Sequence, residues 1–203
     1  MQAREMDYLL ARHCAPTLLG LKPANLFAVP TAERPSVLRY LQDFGSSCRP
    51  WPLEACVVAE HGKHVHILFY QASRLARLIA LPQAQRILSA AAYPQGASLE
   101  DCLALLRRRW TKDQELPHEL GLFLGYPAAD VAAFISHHGK GAQVSGYWQA
   151  YHHPEEARRI FRCYDQGRNC LLRHVASGAP LAGLFGWSED LVQTRNLLVQ
   201  TGV

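Results

Sequence analysis

The chain has 203 residues, 49% hydrophobic and 19% charged, enough apolar surface to close a core and too little charge for a disordered or heavily solvated chain. Its net charge of +4, from 21 basic against 17 acidic residues, gives no basis for nucleic-acid binding, and the triplet Arg107, Arg108 and Arg109 reads as a solvated helix face. The six cysteines form neither a disulfide framework nor a paired-CxxC zinc pattern. They read as free thiols; with no apolar run near the ~20 residues of a membrane span and no secretory leader in MQAREMDYLLARHC, a cytoplasmic protein without a membrane partner is expected.

From Ala3 to His13 the apolar side chains Met6, Leu9 and Leu10 recur at helical spacing, which predicts an amphipathic helix. Pro16, lacking an amide donor, is expected to end it, and Gly20 and Pro23 to keep residues 18–24 irregular. Residues 25–29 are short, apolar and closed by Pro30, which predicts a buried strand. Pro35 suits an early helical position; Val37, Leu38, Leu41 and Phe44 make a core-facing stripe, and Gly45 is expected to stop that helix. Residues 55–59 and 65–70, joined through Gly62, predict a hairpin. Its second arm puts Val65, Ile67 and Phe69 on one face and His64, His66, Leu68 and Tyr70 on the other. The histidine face is expected to be the less buried.

Helical stripes follow on either side of Pro82, and Ser98 with Asp101 predicts the capped start of a helix facing inward through Leu99, Cys102, Leu103, Leu106 and Trp110. Residues 116–135 predict two short helices meeting at Gly125 and Tyr126, and residues 144–151 alternate as a strand does. Pro154 opens the most periodic helix, which ends at Gly178 and Pro180. The elements predict an α+β fold: a small, mostly antiparallel sheet of about four strands covered by helices on at least one face. Residues 1–180 make the domain, and residues 181–203 a helical C-terminal extension.

The densest chemistry lies in HCAPTLLGLKPANLF, residues 13–27. Cys14 is a candidate nucleophile if the fold brings His64, His66 or His118 close enough to activate its thiol; otherwise it is a small core residue. Thr17, Gly20, Lys22 and Asn25 suit a loop that holds an anion, although the spacing is not that of the phosphate loop. The structural alternative is a tight connection with Lys22 in solvent. His118 and Glu119 lack a second histidine four residues on, where Leu122 stands, so the zinc-protease pattern is absent. His61, His64 and His66 share the hairpin and offer metal or haem ligands as a separate possibility. Tyr126, Tyr147, Trp148 and Tyr151 with Lys140 make an aromatic and cationic set suited to a planar ligand.

Three of these blocks, HCAPTLLGLKPANLF, LPHELGLFLGYPAADVAAFI and GKGAQVSGYWQAY followed by a helix with Ala157, Phe161 and Tyr164, resemble in order the bacterial family called domain of unknown function 3793. The resemblance spans about residues 5–178. It implies a cytosolic protein of this length from mainly anaerobic bacteria and brings no reaction with it. The resulting expectation is a protein that binds a small anionic or planar ligand in a cleft built from residues 14–25, 118–126 and 144–151. Cys14 and His118 stand as catalytic candidates there, and Thr17, Gly20, Lys22, Asn25, Glu119, Tyr126, Lys140 and Tyr147 as ligand-binding ones. A non-catalytic metal or haem carrier and an interaction protein without a pocket are the alternatives.

Overall fold

A computed structural model describes residues 2–47, 52–113 and 115–185. In chain order it contains α1 (Ala3–His13), α2 (Ala15–Leu18), β1 (Ala24–Pro30), α3 (Arg34–Ser47), β2 (Glu54–His61), β3 (His64–Tyr70), α4 (Ala72–Ile79) and α5 (Pro82–Ala90). There follow α6 (Leu99–Asp113), α7 (Leu120–Phe123), α8 (Ala128–Ser136), the two-residue strands β4 (Val144–Ser145) and β5 (Gln149–Ala150), α9 (Pro154–Ala176) and α10 (Leu181–Phe185).

One antiparallel sheet has the order β1-β3-β2. The central strand HVHILFY has neither proline nor glycine and bonds along both edges, whereas Pro30 closes an edge strand, where a missing donor costs least. The register aligns Phe27, Ile67 and Val57 across the sheet. Gly62, with φ of 56°, supplies the left-handed residue the hairpin turn needs.

Helices cover both faces. Beneath Phe27, Val29, Val65, Ile67 and Phe69, the helices α1, α2, α3, α9 and α10 contribute Met6, Leu10, Leu18, Leu41, Leu171 and Leu181 to one core. On the other face Ala24, Val58, Leu68 and Tyr70 meet Leu75, Leu88, Leu106, Trp110, Phe123 and Val131 from α4 to α8. The face with the histidines is the less buried of the two, as expected, with His64 exposed and His66 half-buried, but a second layer of helices closes over its other end, where Leu68 is fully enclosed. A third, smaller cluster joins Trp148 and Ala150 to Ala157, Phe161 and Tyr164 of α9.

Two expectations are corrected. The sheet has three strands, not four, since β4 and β5 pair only with each other. Residues 144–151 alternate like a strand, yet the chain turns back inside them. Gly146 lies so close to the Phe161 ring that a Cβ would stand 2.3 Å from it. Gly45 does not stop α3, which continues to Ser47. The Leu53 carbonyl passes beside it, and a Cβ there would fall 2.2 Å from that oxygen, so the glycine serves close approach instead of termination. α1 ends at His13, before Pro16 as expected, but a short helix follows: Pro16 sits in the first turn of α2, where its missing N–H leaves no helical bond unmade.

The expected C-terminal helix begins as α10, and its later part lies outside the described residues. Its first residue is held firmly. Leu181 is fully buried, and its amide donates to Asp7 Oδ2 at 3.2 Å, while the Tyr40 hydroxyl donates to Asp7 Oδ1.

Candidate functional site

The dense stretch after α1 folds inward. Cys14 and Thr17 are fully buried, and Lys22 and Asn25 nearly so. Asn25 Oδ1 accepts from the Thr17 hydroxyl at 2.7 Å and from the Thr17 amide at 3.2 Å. Gln71, at the head of α4, donates its side-chain amide to the Thr17 carbonyl and its backbone amide to that of Pro23. Arg74 donates to the Gly20 carbonyl at 2.6 Å. These bonds pair polar groups that burial would otherwise penalise and tie the loop to α4.

Lys22 differs from its neighbours. Its ammonium lies 5.0 Å from the centre of the Tyr126 ring, within cation–π range, and no carboxylate pairs with it among the described residues. Burial lowers its pKa to about 8, opposed by the nearby Cys14 thiol. Burial pushes the Cys14 thiol well above its ordinary value, against the pull of Lys22. Neither is in solvent, and Cys14 is set to remain a thiol.

The second and third blocks meet around a cavity of about 380 Å³. Its walls include His118, Gly121, Tyr126, Phe134, Gly146 and Trp148. Tyr126 stacks on Trp148 at 5.5 Å with 30° between the rings, and His118 stands edge-on to Phe134 at 5.2 Å. Asp130, in the first turn of α8 and 3% exposed, holds this wall. Its Oδ2 accepts the Trp148 indole N–H at 2.8 Å, and its Oδ1 accepts the amides of Tyr151 and His152 at 2.9 and 3.0 Å. The first block supports the cavity from behind. Leu26 reaches its wall, Lys22 Nζ lies over the Tyr126 ring, and Pro23 packs against Gly125.

A larger cavity, about 720 Å³, lies beside the first and shares Leu116, Pro117 and His118 with it. Arg86, Arg109 and Glu119 line it, over a floor of alanines from α5 and α8. Glu119 is buried, its Oε1 accepting from Arg109 Nε at 2.8 Å and from the Tyr93 hydroxyl at 3.2 Å.

The expected site residues thus divide. His118, Tyr126 and Glu119 line cavities. Cys14, Thr17, Lys22 and Asn25 are buried and line neither, with Gly20 in the turn that Arg74 clasps. Tyr147 lines neither cavity: its hydroxyl donates to Asp165 at 2.9 Å and accepts from Arg168 at 3.2 Å. Lys140 is exposed and also lines neither. Asp130, Phe134 and Arg86 are not among the expected site residues, although Asp130 falls in the second of the family-like blocks. In the sequence Asp130 is one acid after a proline, and only the fold brings Trp148 and the amides of residues 151 and 152 to it.

Gly125 sets how closely the first and second blocks approach. It has φ of 74°, and a Cβ on it would stand 2.3 Å from Pro23 Cγ. Gly125→Ala is expected to cost about 2–4 kcal/mol, from the left-handed backbone and from overpacking together. Urea unfolding measures this, and an unchanged midpoint would mean that Pro23 yields at no cost.

A family model described as a protein of unknown function (DUF3793) matches residues 10–185. No curated protein and no solved structure matches the chain.

Proposed function

We propose, for a chain that belongs to the DUF3793 family and takes no reaction from that family's description, a function read from its own geometry: it binds a small planar ligand that carries an anionic group. The observation that supports this is the aromatic wall of Tyr126 and Trp148, fixed by Asp130, on a cavity of about 380 Å³ beside a larger one lined by Arg86 and Arg109. The smaller volume is that of a small-molecule pocket. Stacking on pinned rings favours a planar body, and the exposed Arg86 guanidinium beyond His118 favours an anionic substituent, since Arg109 is already engaged by Glu119. Cys14 takes no chemical part in this reading, because its thiol is enclosed and set against ionisation.

The test is a titration with indole and with indole-3-acetate, followed by 1H–15N NMR of the Trp148 indole and the backbone amides. Both probes are expected to shift the Trp148 indole and the amides of Gly121, Tyr126 and Gly146. Arg86→Gln is expected to weaken indole-3-acetate at least threefold and leave indole unchanged. Shifts confined to other regions, or none at millimolar probe, would reject the pocket; equal losses for both probes would reject the anionic group.

A further inference from the structure

Away from both cavities, the closed end of the hairpin carries three histidines on one face. His61 pairs with His64 across the ladder, and His66 lies two residues further along β3. His61 and His66 gather against Trp110 of α6. Their imidazole centroids are 5.7 Å apart and lie 5.7 and 4.9 Å from the Trp110 ring.

Each ring buries a nitrogen that has no hydrogen-bond partner, Nε2 in His61 and Nδ1 in His66. Native interiors rarely leave such atoms unpaired, and two in one cluster ask for one explanation. No hydrogen bond joins the two rings, and Trp110 offers an apolar face with a single donor.

A shared cation would satisfy both nitrogens. Two imidazoles each ~2.0–2.1 Å from one metal place their centroids about 5 Å apart at a tetrahedral angle and about 6.3 Å apart when linear; the observed 5.7 Å lies between, so a linear pair needs the rings to part by about half an ångström. Both residues are only half-buried, so the cluster lies near the surface with the two nitrogens turned inward.

The kind of ion follows from the donor set. Among the described residues, no three His, Cys, Asp or Glu side chains come together in a metal-holding group, so structural zinc, with its four ligands, is not served. Two neutral imidazoles suit a monovalent d10 ion of low coordination number, and an indole face adds attraction for a cation. We propose that His61 Nε2 and His66 Nδ1, under Trp110, form a two-coordinate site for Cu(I).

The test is an anaerobic titration of the full chain with Cu(I), read by long-range 1H–15N NMR of the histidine rings. None of the cysteines in the described residues is exposed, and Cys48, outside them, is changed to serine to remove its thiol. At one equivalent the His61 Nε2 and His66 Nδ1 resonances are expected to shift while those of His64 stay in place. His61→Phe and His66→Phe, each retaining a ring against Trp110, are expected to lower affinity at least a hundredfold, and His64→Ala to leave it unchanged. Resonances of His61 and His66 that stay unmoved at one equivalent, whether or not thiols take the copper, would overturn the proposal.

Discussion

Lys22→Met is expected to stabilise the protein by about 2 kcal/mol at pH 7. Burial lowers the pKa of Lys22 from 10.5 to about 8, a penalty of about 3 kcal/mol on keeping the ammonium charged inside the fold. Loss of the Tyr126 contact gives back about 1 kcal/mol. The sign is set by linkage. Between pH 8 and 10.5 the unfolded lysine holds a proton that the folded one releases, so the penalty is complete below pH 8 and fades as pH rises through that window. Cys14 acts oppositely: its thiol is raised from 9.0 in the fold, so above about pH 9 the unfolded state gains by ionising and stability falls. Comparing Lys22→Met with the parent removes most of this common contribution. Urea unfolding at pH 7 and pH 10 should show a gain at the lower pH that shrinks or reverses at the higher. A gain equal at both would mean that methionine packs better and that the charge is not the cause.

Asp130→Ala is expected to be the more damaging change, at about 3–5 kcal/mol. It removes a buried carboxylate and strands the Trp148 indole N–H and the amides of Tyr151 and His152, each of which then lacks its partner in a closed setting. The loss should also be local. With its N–H unheld, Trp148 loses its fixed place against Tyr126, so a red-shifted tryptophan emission is expected before the main unfolding transition. Asp130→Asn keeps one acceptor oxygen and should cost about half as much. If Asp130→Ala unfolded at the parent's urea midpoint, the carboxylate would not be what holds the wall.

How much of this could be read from the sequence depends on how local the cause is. The helices of residues 3–13 and 154–176 and the turn at Gly62 rest on periodicity and on single-residue conformational limits, and they stand where expected. Gly45 and residues 144–151 misled because their roles depend on distant partners, Leu53 in one case and Phe161 with Asp130 in the other. The histidine face of β3 is the less buried one, as its alternation suggests, but alternation alone cannot tell that a second helical layer covers its Leu68 end. The His13–Phe27 stretch was legible as special. What single residues could not reveal is that Thr17 and Asn25 satisfy each other and that Lys22 points toward Tyr126, more than one hundred residues away in sequence.

Asp7 gives the chain an order of assembly. Its carboxylate waits for the amide of Leu181, a partner 174 positions later, and the core on that side of the sheet takes Leu171, Val175 and Leu181 from the last described helices. The β1-β3-β2 sheet and the helices over its histidine face draw only on residues before 136. That half can therefore pack early, from shorter loops, while α1 closes against α9 and α10 only once the end of the chain is present. Loop closure over such a span is slow, so the docking of the N-terminal helix is expected to be the late step of folding.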